Sequence, residues 1–140
     1  MKLSSVIIKL FLASACVGCV SLEGKYEHLT VEALVRSPES FQNKRVKLHG
    51  VIKVGGHFEM VIVDRLDSNQ GVFLEFPSRV TPDVEALKTA VLKMTDDSLP
   101  SPVVTIVGVY MWHPGAKPGR VISVENVVSI DGRRDFSSAR

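Results

Sequence analysis

The chain has little of what marks an enzyme in a sequence. No G-x-S-x-G elbow is present to activate a serine, and no G-x-x-x-x-G-K-[ST] loop to cradle a phosphate. The one carboxylate pair, Asp96-Asp97, stands before a proline-rich turn. The four histidines, His28, His49, His57 and His113, have none of the short spacings that bring two ligands to one metal. No enzyme activity, metal or cofactor is expected on these grounds. An excess of one charge is absent too: 17 Lys and Arg face 15 Asp and Glu, and Lys2 and Lys9 lie at the extreme N-terminus, so the remainder is formally neutral. Phosphate-backbone binding relies on surplus Lys and Arg, so no nucleic-acid partner is expected. Long apolar runs are missing as well. Leu10 to Val20 carries no charge, but a bilayer span needs about 20 apolar residues.

Cysteine is scarce in an informative way. Both copies, Cys16 and Cys19, sit in that short apolar run, in a C-x-x-C spacing. A redox C-x-x-C opens a helix in a βαβ setting, and a zinc C-x-x-C needs further ligands; neither context exists here. Basic residues, a short apolar stretch and small residues ahead of a cysteine describe an export leader. The stretch resembles the bacterial lipobox, in which a cysteine is lipidated and becomes the new N-terminus. Cys19 after Val17-Gly18 is the candidate, with Cys16 after Ala13-Ser14-Ala15 the alternative and a plain cut after Ala15 the runner-up. The expected organisation is a signal peptide over 1–18, a polar tether over 19–29, a domain over 30–130 and a flexible tail over 131–140. Val, not Asp, follows either cysteine; by resemblance to Gram-negative sorting rules, this implies the outer membrane if the host is Gram-negative.

At 45 % hydrophobic residues the remaining length supports one domain with its own core. Thr30 can cap a short helix over Val31 to Arg36, and Pro38 suits the start of a further turn anchored by Phe41. The pattern then alternates with period two. Val46, Leu48, Ile52 and Val54 face one way and Arg45, Lys47, His49 and Lys53 the other, predicting a half-buried strand bent at Gly50. Further strands are predicted from Phe58 to Val63 and Val72 to Phe76. A helix follows, capped at Thr81 with Val84, Leu87, Val91 and Met94 on one stripe. The last strands run from Val103 to Trp112 and from Arg120 to Ile130. The order β-β-β-α-β-β looks like the OB-fold, a five-stranded Greek-key barrel. The phrase from Ser37 to Gly50, with Ile122-Ser123-Val124-Glu125 near the end, also resembles uncharacterised bacterial OB-like lipoproteins. That resemblance carries no catalytic residues.

The fourth of these strands is apolar on both faces. Tyr110 and Trp112 share one face; Val107, Val109 and Met111 share the other. Only one face can line the core. Taken as the exposed one, the aromatic face, with His57, His113 and Lys117 on loops and Arg120 at the start of the last strand, makes a contact surface for a protein or glycan; taken as covered by Thr30 to Phe41, it is core. The functional expectation is a non-enzymatic, lipid-anchored envelope module, of which an immunity or inhibitor lipoprotein is one version. The rival is a metal carrier or small metal-dependent enzyme at His57 and His113, with Glu59.

Overall fold

The computed structural model describes residues 25–79, 81–94 and 100–131. The leader, both cysteines, Asp96-Asp97 and the tail from 132 lie outside the described residues. In chain order the elements are β1 (Glu27–Leu29), α1 (Val31–Arg36), a 3-10 turn (Pro38–Phe41), β2 (Arg45–Val54), a second 3-10 turn (Gly56–Phe58), β3 (Met60–Val63), β4 (Val72–Glu75), α2 (Pro82–Met94), β5 (Val103–Trp112) and β6 (Arg120–Ile130). One boundary moves because His57 takes a left-handed backbone at φ 67°, winding Gly56–Phe58 into a turn, so that β3 begins at Met60.

β2 pairs antiparallel with β3, and β3 with β4. β4 runs parallel to β6, β6 antiparallel to β5, and β5 antiparallel to β2, which closes the sheet. The result is the all-β, OB-like Greek-key barrel with two short helices that the pattern predicts. Its interior holds the inward row of each strand. Val46, Leu48, Ile52, Ile62, Val72, Val104, Ile106, Tyr110, Ile122 and Val124 are all buried in one cluster.

The first departure from expectation is β1. Residues 27–29, read from sequence as part of the tether, pair parallel with Val46–Leu48. The far edge of the same β2 residues is taken by β5, and the four-residue β3 reaches only as far as Val51. β1 therefore covers edge groups of β2 that the short β3 leaves unpaired, where a bare edge would invite foreign strands. Ahead of β1, the Tyr26 hydroxyl donates to Glu125 Oε2 at 2.7 Å, and Arg45 Nη2 donates to the Tyr26 oxygen at 3.0 Å and to Glu125 Oε2 at 2.6 Å. The guanidinium lies 4.7 Å from the Tyr26 ring centre. Arg45 and Glu125 stand on the two strands that flank β5, Arg45 across from Val109 and Glu125 at the register shift between Val107 and Gly108, so this strap crosses the outside of β5.

The helices close opposite ends of the barrel. α1 buries Val31 and Leu34 near the end of β5, and the Tyr110 hydroxyl reaches the Leu34 carbonyl at 3.5 Å. The Thr30 hydroxyl accepts from Ala33 N at 3.1 Å, and the Asp64 carboxylate, just past β3, accepts from Val31 N at 3.1 Å and Glu32 N at 2.7 Å. Three of the helix's orphan amides are thereby satisfied, two of them by a residue remote in sequence. α2 buries Val84, Leu87 and Val91 at the other end. Its buried Asp83 accepts from the Thr81 hydroxyl and, at 2.6 Å, from Val127 N. That amide belongs to the part of β6 beyond the 121–123 stretch paired with β4, close to two register shifts against β5. A helix carboxylate does there what a neighbouring strand does elsewhere.

Candidate functional site

β5 decides where a surface site can lie. The structure corrects the first assignment of its faces. Tyr110 is 0 % exposed, and burial pushes its hydroxyl pKa upward. It cannot be a contact residue. Trp112 shares that inward face, half-buried against the core at the rim of the barrel, and its backbone amide donates to Gln42 Oε1 at 2.6 Å. Tyr110 is covered by α1, in keeping with the reading of this face as core. The physical reason is room. Tyr110 lies across from Ile122 under α1, where the barrel end needs a large apolar body, and its hydroxyl finds a carbonyl there.

The other face is therefore the outer one. Val109 and Met111 are half-buried on the outside of the barrel. The register extends this into a row: Met111 lies across from Val121, Val121 from Phe73, and Phe73 from Val61. All four are half-buried and none belongs to the core cluster. At the end of the row Lys53 lies across from Val61, with its ammonium donating to the Ser68 carbonyl at 3.0 Å. Paired residues on adjacent strands point to the same face, so Val61, Phe73, Val121 and Met111 form one apolar band over β3, β4, β6 and β5.

Beside this band is a groove of about 360 Å3 lined by Glu59, Met60, Phe73, Leu74, Glu75, Pro118 and Val121. Glu59 comes from the turn after β2 and Pro118 from the loop after β5, so these two loops meet here. Of the residues singled out by sequence, Glu59 lines this groove and His57, His113, Lys117 and Arg120 do not. His57, His113 and Lys117 are exposed. Arg120 is half-buried and directs Nε to the Gly71 carbonyl at 3.5 Å. Among the described residues no group of three His, Cys, Asp or Glu is placed to hold a metal ion, so His57, Glu59 and His113 do not form one.

Two further cavities are polar. One of about 500 Å3 is lined by Thr30, Glu32, Val35, Asp64, Arg65, Ser68 and Gln70, and both Asp64 oxygens there are occupied by α1 amides. Another of about 410 Å3 lies at Lys25, Tyr26, Glu27, Lys44 and Arg45. Its cations Lys44 and Arg45 are paired with Glu27 at 3.5 Å and Glu125 at 2.6 Å. Phe73, Val121 and Val61 are not marked as a surface by any local sequence pattern. Phe73 and Val121 break the apolar-polar alternation of their strands, but only the register shows that they are neighbours.

No protein-family model matches the chain, and no curated protein matches it. Among solved structures it is similar to OBody AM1L10 bound to hen egg-white lysozyme, at 19 % identity and a TM-score of 0.40, covering 65 % of this chain and 82 % of that one. It is similar to OBody AM3L09 bound to hen egg-white lysozyme, at 17 % identity and a TM-score of 0.42, covering 63 % and 82 %. A DUF3299 family protein from Pseudomonas aeruginosa PAO1 is similar at 14 % identity and a TM-score of 0.41, covering 73 % and 94 %. Strand order and register, rather than these likenesses, carry the fold assignment.

Proposed function

We propose that the protein is a non-enzymatic binding module of the bacterial envelope, exported and held to a membrane by a lipid on Cys19, which engages a protein or glycan through the outer face of β3, β4, β6 and β5. The observation that carries this reading is the apolar band of Val61, Phe73, Val121 and Met111. Four aligned apolar side chains on the outside of a closed barrel contribute nothing to its interior, and a contiguous apolar surface beside a groove is what contact faces present. The location rests on the leader-like stretch and Cys19.

A photo-crosslinking amino acid at Met111, introduced in living cells, tests it. A discrete adduct is expected, and Phe73→Lys in the same protein should abolish it while thermal melting changes little, because outward substitutions usually shift stability by only about 0.5 kcal/mol. No adduct at Met111, or an adduct indifferent to Phe73→Lys, would remove the reading.

A further inference from the structure

The groove beside the band is chemically one-sided. Of its seven lining residues, Met60, Phe73, Leu74, Pro118 and Val121 are apolar, and the only polar side chains are Glu59 and Glu75. No side chain in the lining donates a hydrogen bond; the two carboxylates only accept. Among the described residues neither carboxylate has an ion-pair or hydrogen-bond partner. The other carboxylates flanking the barrel strands are engaged: Asp64 with the α1 amides, Asp83 with Val127, Glu125 with Arg45, and Asp131 with Val103 N at 2.9 Å.

We infer that the groove takes an extended protein segment in which a Lys or Arg alternates with apolar side chains, the cation between Glu59 and Glu75 and the apolar groups on Phe73 and Val121. This rests on the binding-module reading and narrows it. A phosphate or other anion would meet two carboxylates and no donor. A glycan presents hydroxyls that donate and accept, and the lining side chains can answer only the donated half. An ammonium or guanidinium is all donor, pairs with carboxylates by charge-assisted hydrogen bonds, and can also lie over the Phe73 ring. An extended segment presents alternate side chains to one face, which suits a groove lined by two carboxylates and five apolar residues.

The test uses the full-length chain, labelled with 15N and titrated with three probes: acetyl-Val-Lys-Val-Lys-Val-amide, its Glu counterpart, and chitotetraose. The Lys peptide should shift the amides of Glu59, Met60, Phe73, Leu74, Glu75 and Val121 saturably, and the other two probes should not. Glu59→Gln with Glu75→Gln should weaken the Lys peptide about tenfold, or about 1.4 kcal/mol, with no change in melting. Added salt should weaken it as well, since the attraction is between charges at a surface. Equal binding of the Lys and Glu peptides, an unchanged affinity in the double variant, or no shifts with the Lys peptide would each overturn the inference. Chitotetraose shifting these same amides while the Lys peptide does not would overturn it too, yet leave the binding face standing. Loss of the Met111 adduct criterion, by contrast, removes that face itself.

Discussion

Gly50 shows how far a single residue can be read. Its place on the inward side of a long alternating strand marks it as a bend, and the barrel supplies the reason. A Cβ there would sit 2.5 Å from the Val63 carbonyl oxygen and 2.9 Å from Ile62 Cγ1. The oxygen belongs to the β2–β3 ladder and cannot retreat without breaking it. Gly50→Val should therefore destabilise the domain by about 1–3 kcal/mol, the usual cost of overpacking. It should appear as a lower urea midpoint with an unchanged slope. An unchanged midpoint would mean that β2 is not bent tightly at this point. Asp83 shows the limit of such reading. In sequence it is one more acidic residue in the first turn of a helix, where the dipole favours it. Its actual partner, Val127 N, is displayed only because β6 is irregular there, and irregularity between strands has no signature in either strand alone.

The elements were legible where one periodicity dominates. β5, β6 and α1 fall where alternation, capping and proline place them. β1 escaped because three residues are too few for a period, and its strand state depends on an edge of β2 that only the closed barrel leaves open. β5 was ambiguous for a different reason: both of its faces are apolar, so alternation cannot tell inside from outside, and a neighbouring helix must decide. The strap ahead of β1 makes a separate forecast. Desolvation, the largest influence on Glu125, pushes its pKa up, but the hydrogen bonds from Arg45 and Tyr26 and the charges of Arg45 and Lys25 outweigh it, so the carboxyl lies below its usual range. A carboxyl lowered by folding adds stability above its unfolded pKa, and that stability is lost as pH falls through the lowered folded value. Wild type should thus melt above Glu125→Gln at neutral pH, and the gap should close in acid below the ordinary carboxylate range. A gap that is the same at both pH values would mean that the ion pair is not what holds the strap.

At the scale of the whole molecule, the barrel topology was readable because the strand-helix-strand order admits few closed arrangements, whereas the outer apolar band was not. The band of Val61, Phe73, Val121 and Met111 draws one residue from each of four strands, and no local pattern carries their register. The same scale joins face to anchor. Only six peptide steps separate Cys19 from Lys25, the first described residue. Fully extended, they reach at most about 20 Å. With Tyr26 held by Arg45 and Glu125, a lipid on Cys19 would keep the barrel close to the bilayer, so its partners would be met near a membrane surface. One acyl chain binds only marginally and two or more hold firmly, so removing the acceptor should release the protein altogether. Cells fed an alkyne fatty acid should label the wild-type chain and Cys16→Ala, with both in the membrane fraction, while Cys19→Ala should lose the label and leave that fraction. A label that survives Cys19→Ala would move the anchor to Cys16 and lengthen the reach by three residues. A wild-type chain that takes no label would end the lipoprotein reading, and the contact face would then have to be sought among partners free in solution.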